Sequence, residues 1–176
     1  MGRETYTLIM QMASISLSTK KKGGSDDYFT PEEVWCDFAP YVPDGSIIWE
    51  PFPGDSDSIA RMQKAYPKCT VIGTTTDFFE TEPPSDTTLI ISNPPYTIKP
   101  KIFARLQELG LPFAMLVPIP TITKKYMRWA QREMQVVVPK KRIQFEVGGD
   151  PLKRCPFDTL WLTYRFSLQN DLNYLH

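Results

Sequence analysis

Four short apolar runs punctuate the first two thirds of the chain, and each ends in a turn rich in proline, glycine or short polar residues. The runs cover residues 46–49, 69–73, 88–92 and 113–117. Between them lie stretches with helical character, at 57–66 and 100–109, the second closed by Gly110. Strands that alternate with helices and read as continuous apolar runs point to a mostly parallel sheet covered on both faces. Further strand character falls at 135–138, 142–146 and 159–166, and helical character at 122–133. The last two strands suit an antiparallel edge hairpin, with Gly148-Gly149-Asp150-Pro151 in the connection. The fold class expected is therefore α/β, Rossmann-like.

At 176 residues the chain fits one domain. Residues 1–27 end in Ser-Thr-Lys-Lys-Lys-Gly-Gly-Ser-Asp-Asp, a linker composition, and are expected to form a flexible arm before a single domain at 28–176. Ordered structure should start near Tyr28. There Thr30 is expected as the N-cap of a helix with Pro31 at its first position and Glu32 and Glu33 in its first turn. The 17 prolines belong in loops and at strand ends, because a sheet interior has no use for a residue without an N–H.

Several chemistries are excluded. The one histidine, His176, is the last residue, so no histidine-based triad or metal site is built inside the fold. No phosphate-binding glycine-rich loop with a lysine is present. Cys36, Cys69 and Cys155 are far apart, odd in number and without metal spacing, which fits a reducing intracellular compartment, cytoplasmic or nuclear. The mildly apolar stretch 8–17 is too short and polar to span a membrane. A soluble protein is expected.

In open α/β sheets ligands bind beyond the carboxyl ends of the strands. Three unusual segments share that address. Glu50-Pro51-Phe52-Pro53-Gly54-Asp55-Ser56 follows the first strand, Asp77-Phe78 comes soon after the second, and Asn93-Pro94-Pro95-Tyr96 follows the third. The last has a chemical reading. An exocyclic aryl amine is a poor nucleophile because its lone pair is delocalised into the ring. Two acceptors aimed at its hydrogens favour a pyramidal nitrogen and localise that pair. The Asn93 side-chain oxygen and the Pro94 carbonyl supply them, and proline keeps the carbonyl aimed. Pro95 stiffens the turn, and the ring of Tyr96 stacks on a flat base. The bland alternative is a proline-rich turn.

Asn93-Pro94-Pro95-Tyr96 resembles motif IV of the S-adenosylmethionine (SAM)-dependent N6-adenine methyltransferases. The run from Glu50 to Asp55 resembles their motif I, and Tyr28-Phe29-Thr30-Pro31 their motif X. The order X, I, IV is that of the gamma group, and the look is that of compact phage- and virus-type DNA enzymes. The resemblance spans about residues 28–166. It implies a class I methyltransferase domain with SAM as cofactor, in the host cell if viral. Tyr28, Thr30, Glu50, Pro51, Phe52, Gly54, Asp77 and Phe78 would hold the cofactor. Of these, Glu50 takes the methionine amine, Thr30 lies by the methionine carboxylate, and Asp77 accepts from the adenine amine. Phe145 is either a second stacking ring on the flipped target base or a core phenylalanine.

Two departures stand out. Ser56 replaces a glycine of motif I. The second strand leads into Thr74-Thr75-Thr76, where the family has an acid for the ribose hydroxyls.

The partner implied is nucleic acid, DNA favoured over RNA. Acidic and basic side chains balance at 20 each, so any basic surface must come from local segregation. Lys124, Lys125 and Arg128, with Lys140 and Lys141, would hold phosphates; otherwise they are solvated faces. Little chain remains for a recognition domain, so loose specificity, a homodimer or a partner subunit is expected. The alternatives are an RNA adenine enzyme, a protein-glutamine enzyme, and an inactive binding module on the same fold.

Overall fold

The computed structural model describes residues 28–54, 57–147, 150–151 and 155–176. The expected arm 1–27, and Asp55 and Ser56 of the first turn, lie outside the described residues.

Nine strands and three α-helices are seen among the described residues. In chain order they are α1 (Glu32–Phe38), β1 (Ile47–Glu50), α2 (Asp57–Ala65), β2 (Thr70–Gly73), β3 (Leu89–Ser92), α3 (Lys99–Leu109), β4 (Phe113–Pro118), β5 (Met134–Val138), β6 (Glu146–Val147), β7 (Asp150–Pro151), β8 (Thr159–Tyr164) and β9 (Leu172–Tyr174). Seven strands form one sheet in the order β2-β1-β3-β4-β8-β5-β9, and β6 and β7 form a separate ribbon. The pairs β1·β2, β1·β3 and β3·β4 are parallel, and β8 is antiparallel to both its neighbours. The expected Rossmann-like α/β sheet is therefore present.

The period of two explains why the central strands read as unbroken apolar runs. Ile48, Leu89, Ile91, Ala114, Leu116 and Trp161 face one layer, where Val34, Trp35 and Phe38 of α1 and Met62 of α2 cover them. Trp49, Ile90, Phe113, Met115, Val117, Leu160 and Leu162 face the other, under Ile102, Phe103 and Leu106 of α3. Successive side chains alternate faces, and both faces are buried, so apolar residues fill most positions. Gly110 caps α3 with a left-handed φ of 64°, and its N–H donates to the Leu106 carbonyl.

Four expectations are corrected. The antiparallel element is real, but its strand β8 inserts between β4 and β5, and β9, unforeseen, takes the edge parallel to β5. Of the segment 142–146 only Glu146 joins a strand, in the ribbon. Ile143 and Phe145 turn into the core layer beside α1, so this stretch covers the sheet face and leaves the edge free. The segment 122–133 makes two 3-10 helices, Ile119–Thr123 and Lys125–Ala130, in place of an α-helix. β-Branched Thr121, Ile122 and Thr123 disfavour an α-helix there, and the Thr123 hydroxyl bonds back to the Pro120 carbonyl at 3.0 Å. Thr30 is not the N-cap of α1. Pro31 occupies that position without a side-chain cap bond.

Among the described residues, no helix is long and apolar enough to cross a membrane, and no group of three or more His, Cys, Asp or Glu is placed to hold a metal. The three cysteines are free.

Candidate functional site

The chain order sets the address of the site. From β1 the chain moves outward to β2, then crosses back to β3 on the other side of β1. Helix α2, between β1 and β2, lies on one face, and α3, between β3 and β4, lies on the opposite face. In doubly wound sheets ligands bind at such a reversal, which here falls beyond the carboxyl ends of β1 and β3. Glu50 ends β1, and Ser92 ends β3 immediately before Asn93.

Glu50 is 1% exposed, the one acid among the buried residues of the described chain. Its Oε1 accepts from the Phe52 N–H at 2.7 Å and from the Ser92 hydroxyl at 2.5 Å. Removal from water pushes its carboxyl up to about 8, against which the bonds from Ser92 and Phe52 pull downward. Burial therefore favours the protonated form of this carboxyl. A buried acid at a strand's carboxyl end, with no basic partner among the hydrogen bonds it makes here, suits a ligand that carries an ammonium.

The turn after β1 has the shape expected of it. Gly54 has a φ of 69°, and a Cβ there would stand 3.2 Å from the Phe29 ring. Both facts favour glycine. Phe29 belongs to the segment expected to flank the cofactor, and its backbone pairs with Glu146 through bonds of 2.9 and 3.0 Å. Arg61 of α2 pins the same segment by donating to the Thr30 carbonyl at 3.2 Å and to Glu146 at 3.0 Å. The hydroxyl of Thr30 is buried and has no hydrogen-bond partner among the described residues. Six other buried side-chain polar atoms share that state, and Thr30 is the one that lies in the segment against the turn after β1.

Asn93 is held from both ends. Its Nδ2 donates to the Tyr28 carbonyl at 2.9 Å, and its Oδ1 accepts from the Tyr96 hydroxyl at 2.8 Å. The two bonds fix which end of the amide is oxygen, and a carbonyl oxygen keeps a second lone pair for another donor. Pro94 is buried and Pro95 half-buried. Lys99 Nζ donates to the Tyr96 carbonyl at 2.6 Å and lies 5.0 Å from the centre of its ring. The ring of Tyr28 lies nearly parallel to that of Tyr96, with centres 6.3 Å apart.

Three of the expected segments thus meet through direct bonds and contacts: Tyr28–Asn93, Phe29–Gly54 and Glu50–Ser92. The fourth joins through Phe78, whose ring lies 4.9 Å from Phe52 and 5.5 Å from Trp49. Phe78 is buried in that cluster. Asp77 is exposed, and its Oδ1 accepts from the Phe79 N–H at 2.8 Å, closing its own turn. Pro51 is buried and Phe52 half-buried. At the end of β2, where an acid was missing, the Thr74 hydroxyl accepts from Trp49 Nε1 at 3.0 Å.

Two expectations shift. Phe145 is fully buried, packed against Tyr28 and Phe157 with centres 5.7 and 6.2 Å away, so its core role is the one realised. Phe157, which sequence reasoning missed, is half-buried and sets its edge against both Tyr28 and Tyr96, each at 5.3 Å. Its only signal in the sequence was Pro156-Phe157 just ahead of a strand. The basic residues divide. Lys140 pairs with Asp37 at 2.6 Å and Lys141 with Glu33 at 3.1 Å, so both face α1. Lys124, Lys125 and Arg128 are exposed, make no ion pair among the described residues, and follow the carboxyl end of β4, the same rim as Asn93.

A groove of about 310 Å³ lies at the opposite end of the sheet, among Ser46, Thr88, Pro112 and Arg165. Those are the amino ends of the strands, away from the acid and the amide.

No family model matches the sequence, and no curated protein is significantly similar to it. Solved structures that resemble this chain include the 23S rRNA methyltransferase ErmE, with 12% identity over 78% of this chain and 70% of that one and a TM-score of 0.48. A dimethyladenosine transferase from Plasmodium falciparum shares 13% identity over 78% of this chain and 62% of its own, with a TM-score of 0.46. The methyltransferase subunit of a type I restriction-modification system from Streptococcus thermophilus shares 13% identity over 90% of this chain and 48% of its own, with a TM-score of 0.45. The chain thus spans less than two thirds of the last two proteins.

Proposed function

We propose that this protein transfers a methyl group from S-adenosylmethionine to the N6 amine of adenine in nucleic acid, with DNA as the favoured substrate. The observation that carries the reading is the doubly held carboxamide of Asn93, set one residue from the serine that bonds the buried Glu50.

The residues present fit the cofactor on three counts: a buried carboxyl for an ammonium, an orphaned buried hydroxyl at Thr30, and a left-handed glycine that lets the chain approach a ligand. When bound, SAM supplies an electrophilic methyl on a sulfonium. Glu50 holds the ammonium of its amino-acid end and gives up its own proton to solvent in doing so. Thr30 offers its hydroxyl to the neighbouring carboxylate. Gly54 and the turn around it admit the backbone side of the ligand, and Asp77 is the acceptor for its adenine amine.

Asn93 Oδ1 and the Pro94 carbonyl accept the two hydrogens of the target amine. Their acceptance concentrates the lone pair on nitrogen and stabilises the positive charge that grows there, an electrostatic contribution set in advance by the fold. The methylated amine then loses a proton to water without a strong base. Tyr96 stacks on the adenine, which must leave its own stack to reach Asn93. Phe157 takes the second aromatic position at its edge. Lys124, Lys125 and Arg128 bind the phosphates beside it.

Incubation with tritiated SAM and adenine-containing single-stranded DNA tests the reading, with RNA of the same sequence in competition. Label in DNA at N6 is the expected result. Preference for RNA moves the substrate, and absence of label from either, where SAM binds, leaves a binding module on the same fold.

A further inference from the structure

Ser92 is the polar exception in a strand that is otherwise Leu89, Ile90 and Ile91, and it is fully buried. An apolar side chain would fill such a position with no unmet hydrogen bond, so a serine there needs its partner. That partner is Glu50, 42 positions earlier in the chain, through the 2.5 Å bond. The pairing of β3 with β4 ends at Ser92, opposite Met115. Asn93 is therefore the first residue beyond the ladder, and the Ser92 side chain is the last fixed point before it. Beyond, Asn93 is tied to Tyr28 and Tyr96. On the near side, the Glu50 oxygen that accepts from Ser92 also accepts from Phe52. Hydrogen bonds tie the turn after β1 to Glu50 and Glu50 to Ser92, and the backbone carries on directly from Ser92 to Asn93.

We propose that Ser92 is a positioning residue that couples occupancy of the ammonium site at Glu50 to the aim of Asn93. The proposal rests on the methyl-transfer reading above. When a ligand ammonium reaches Glu50, the carboxyl proton leaves to solvent and the group becomes a carboxylate. A hydroxyl bond to a carboxylate is shorter and stronger than one to a carboxylic acid. Ligand binding thus strengthens an anchor at the base of the Asn93 turn that already stands at 2.5 Å. Loss of the hydroxyl removes a donor from the carboxylate, which makes Glu50 harder to ionise and the ammonium harder to bind.

The test compares the full-length wild type with Ser92→Ala and Ser92→Thr. S-adenosylhomocysteine, which keeps the ammonium, is titrated by calorimetry from pH 6 to pH 9, and methyl transfer to single-stranded DNA is measured with tritiated SAM. Ser92→Ala is expected to weaken the product complex roughly tenfold at pH 7, the effect of one bond to a charged group. It should also move the pH midpoint of binding upward and lower kcat while leaving KM for DNA unchanged. Ser92→Thr, which keeps the hydroxyl, should restore the midpoint and kcat. A wild-type pH midpoint and kcat in Ser92→Ala overturn the proposal, and so does an equal loss in both variants, which marks a packing defect. If the wild type neither binds the product nor transfers label, the methyl-transfer reading falls and takes this with it. If the wild type does both and Ser92→Ala matches it, only the role of Ser92 falls.

Discussion

Replacing Glu50 by glutamine should make this protein more stable and less able to bind its ligand, and the size of the first effect follows from burial. In the unfolded chain the carboxyl ionises near its ordinary 4.5; in the folded state burial holds it up to about 8. Below pH 4.5 both states carry the proton and the group is neutral to folding. As pH rises from 4.5 to 8 the unfolded chain releases a proton that the folded chain keeps, so stability falls. Above about 8 both are ionised and the full penalty stands. At about 1.4 kcal/mol for each tenfold change in proton affinity, that penalty reaches about 5 kcal/mol. It is a ceiling, because local relaxation admits water around a buried charge.

Glutamine keeps a side-chain oxygen able to accept from Phe52 and Ser92 but never ionises. Urea unfolding at pH 5, 7 and 9 should show near-equal stability at pH 5 and an advantage for Glu50→Gln of a few kcal/mol at pH 9, with unchanged slopes. Binding of S-adenosylhomocysteine should drop in the same variant. Stability traded against binding is the mark of an acid kept for a ligand. A difference between the two proteins that is the same at pH 5 and pH 9 would refute the reasoning, because it would mean Glu50 is ionised, or solvated, throughout.

Asn93→Ala removes an acceptor made useful mainly in the transition state, so kcat should fall by about 10²–10³ while cofactor affinity holds within about threefold; rapid-quench turnover and calorimetry separate the two. Joint replacement of Lys124, Lys125 and Arg128 by alanine should flatten the dependence of log K on log salt by about 2 for single-stranded DNA, at ~0.7 for each phosphate contact. Replacing Lys140 and Lys141, already paired with Asp37 and Glu33, should flatten it much less in the same filter-binding series. Phe145→Ala should cost about 3–5 kcal/mol in urea unfolding, as for a fully buried aromatic ring. Phe157→Ala, half-buried, should cost well under half of that and show its main effect in KM for DNA.

Much of the sheet was legible because its signals are local. The runs at 46–49, 88–92 and 113–117 are apolar at every position but their ends, which only strands buried on both faces require. Gly110 announced the end of α3, and Gly54 the tight turn after β1, because both need a left-handed backbone. The address of the candidate site was legible because three turns sit at the carboxyl ends of successive strands. Where the reading went astray, the deciding contact lay far along the chain. Residues 142–146 alternate as a half-buried strand would, yet the rings and helix of the layer over β8 took Ile143 and Phe145 as cover. The triplet of charges at 140–142 has the same composition as a phosphate-binding patch, and only the approach of α1 turns two of them into ion pairs.

From its order of residues alone, this chain specified an alternating α/β sheet and the turns at the carboxyl ends of its strands, since periodicity, proline and glycine act within a few residues of themselves. Tertiary structure alone decided that β8 slots between β4 and β5, that Phe157 faces Tyr28 and Tyr96 while Phe145 goes inside, and that Ser92 closes on Glu50. Those outcomes depend on which buried surface and which unmet hydrogen bond each segment finds once the chain is compact, and partners 24 or more residues apart leave no trace in local pattern.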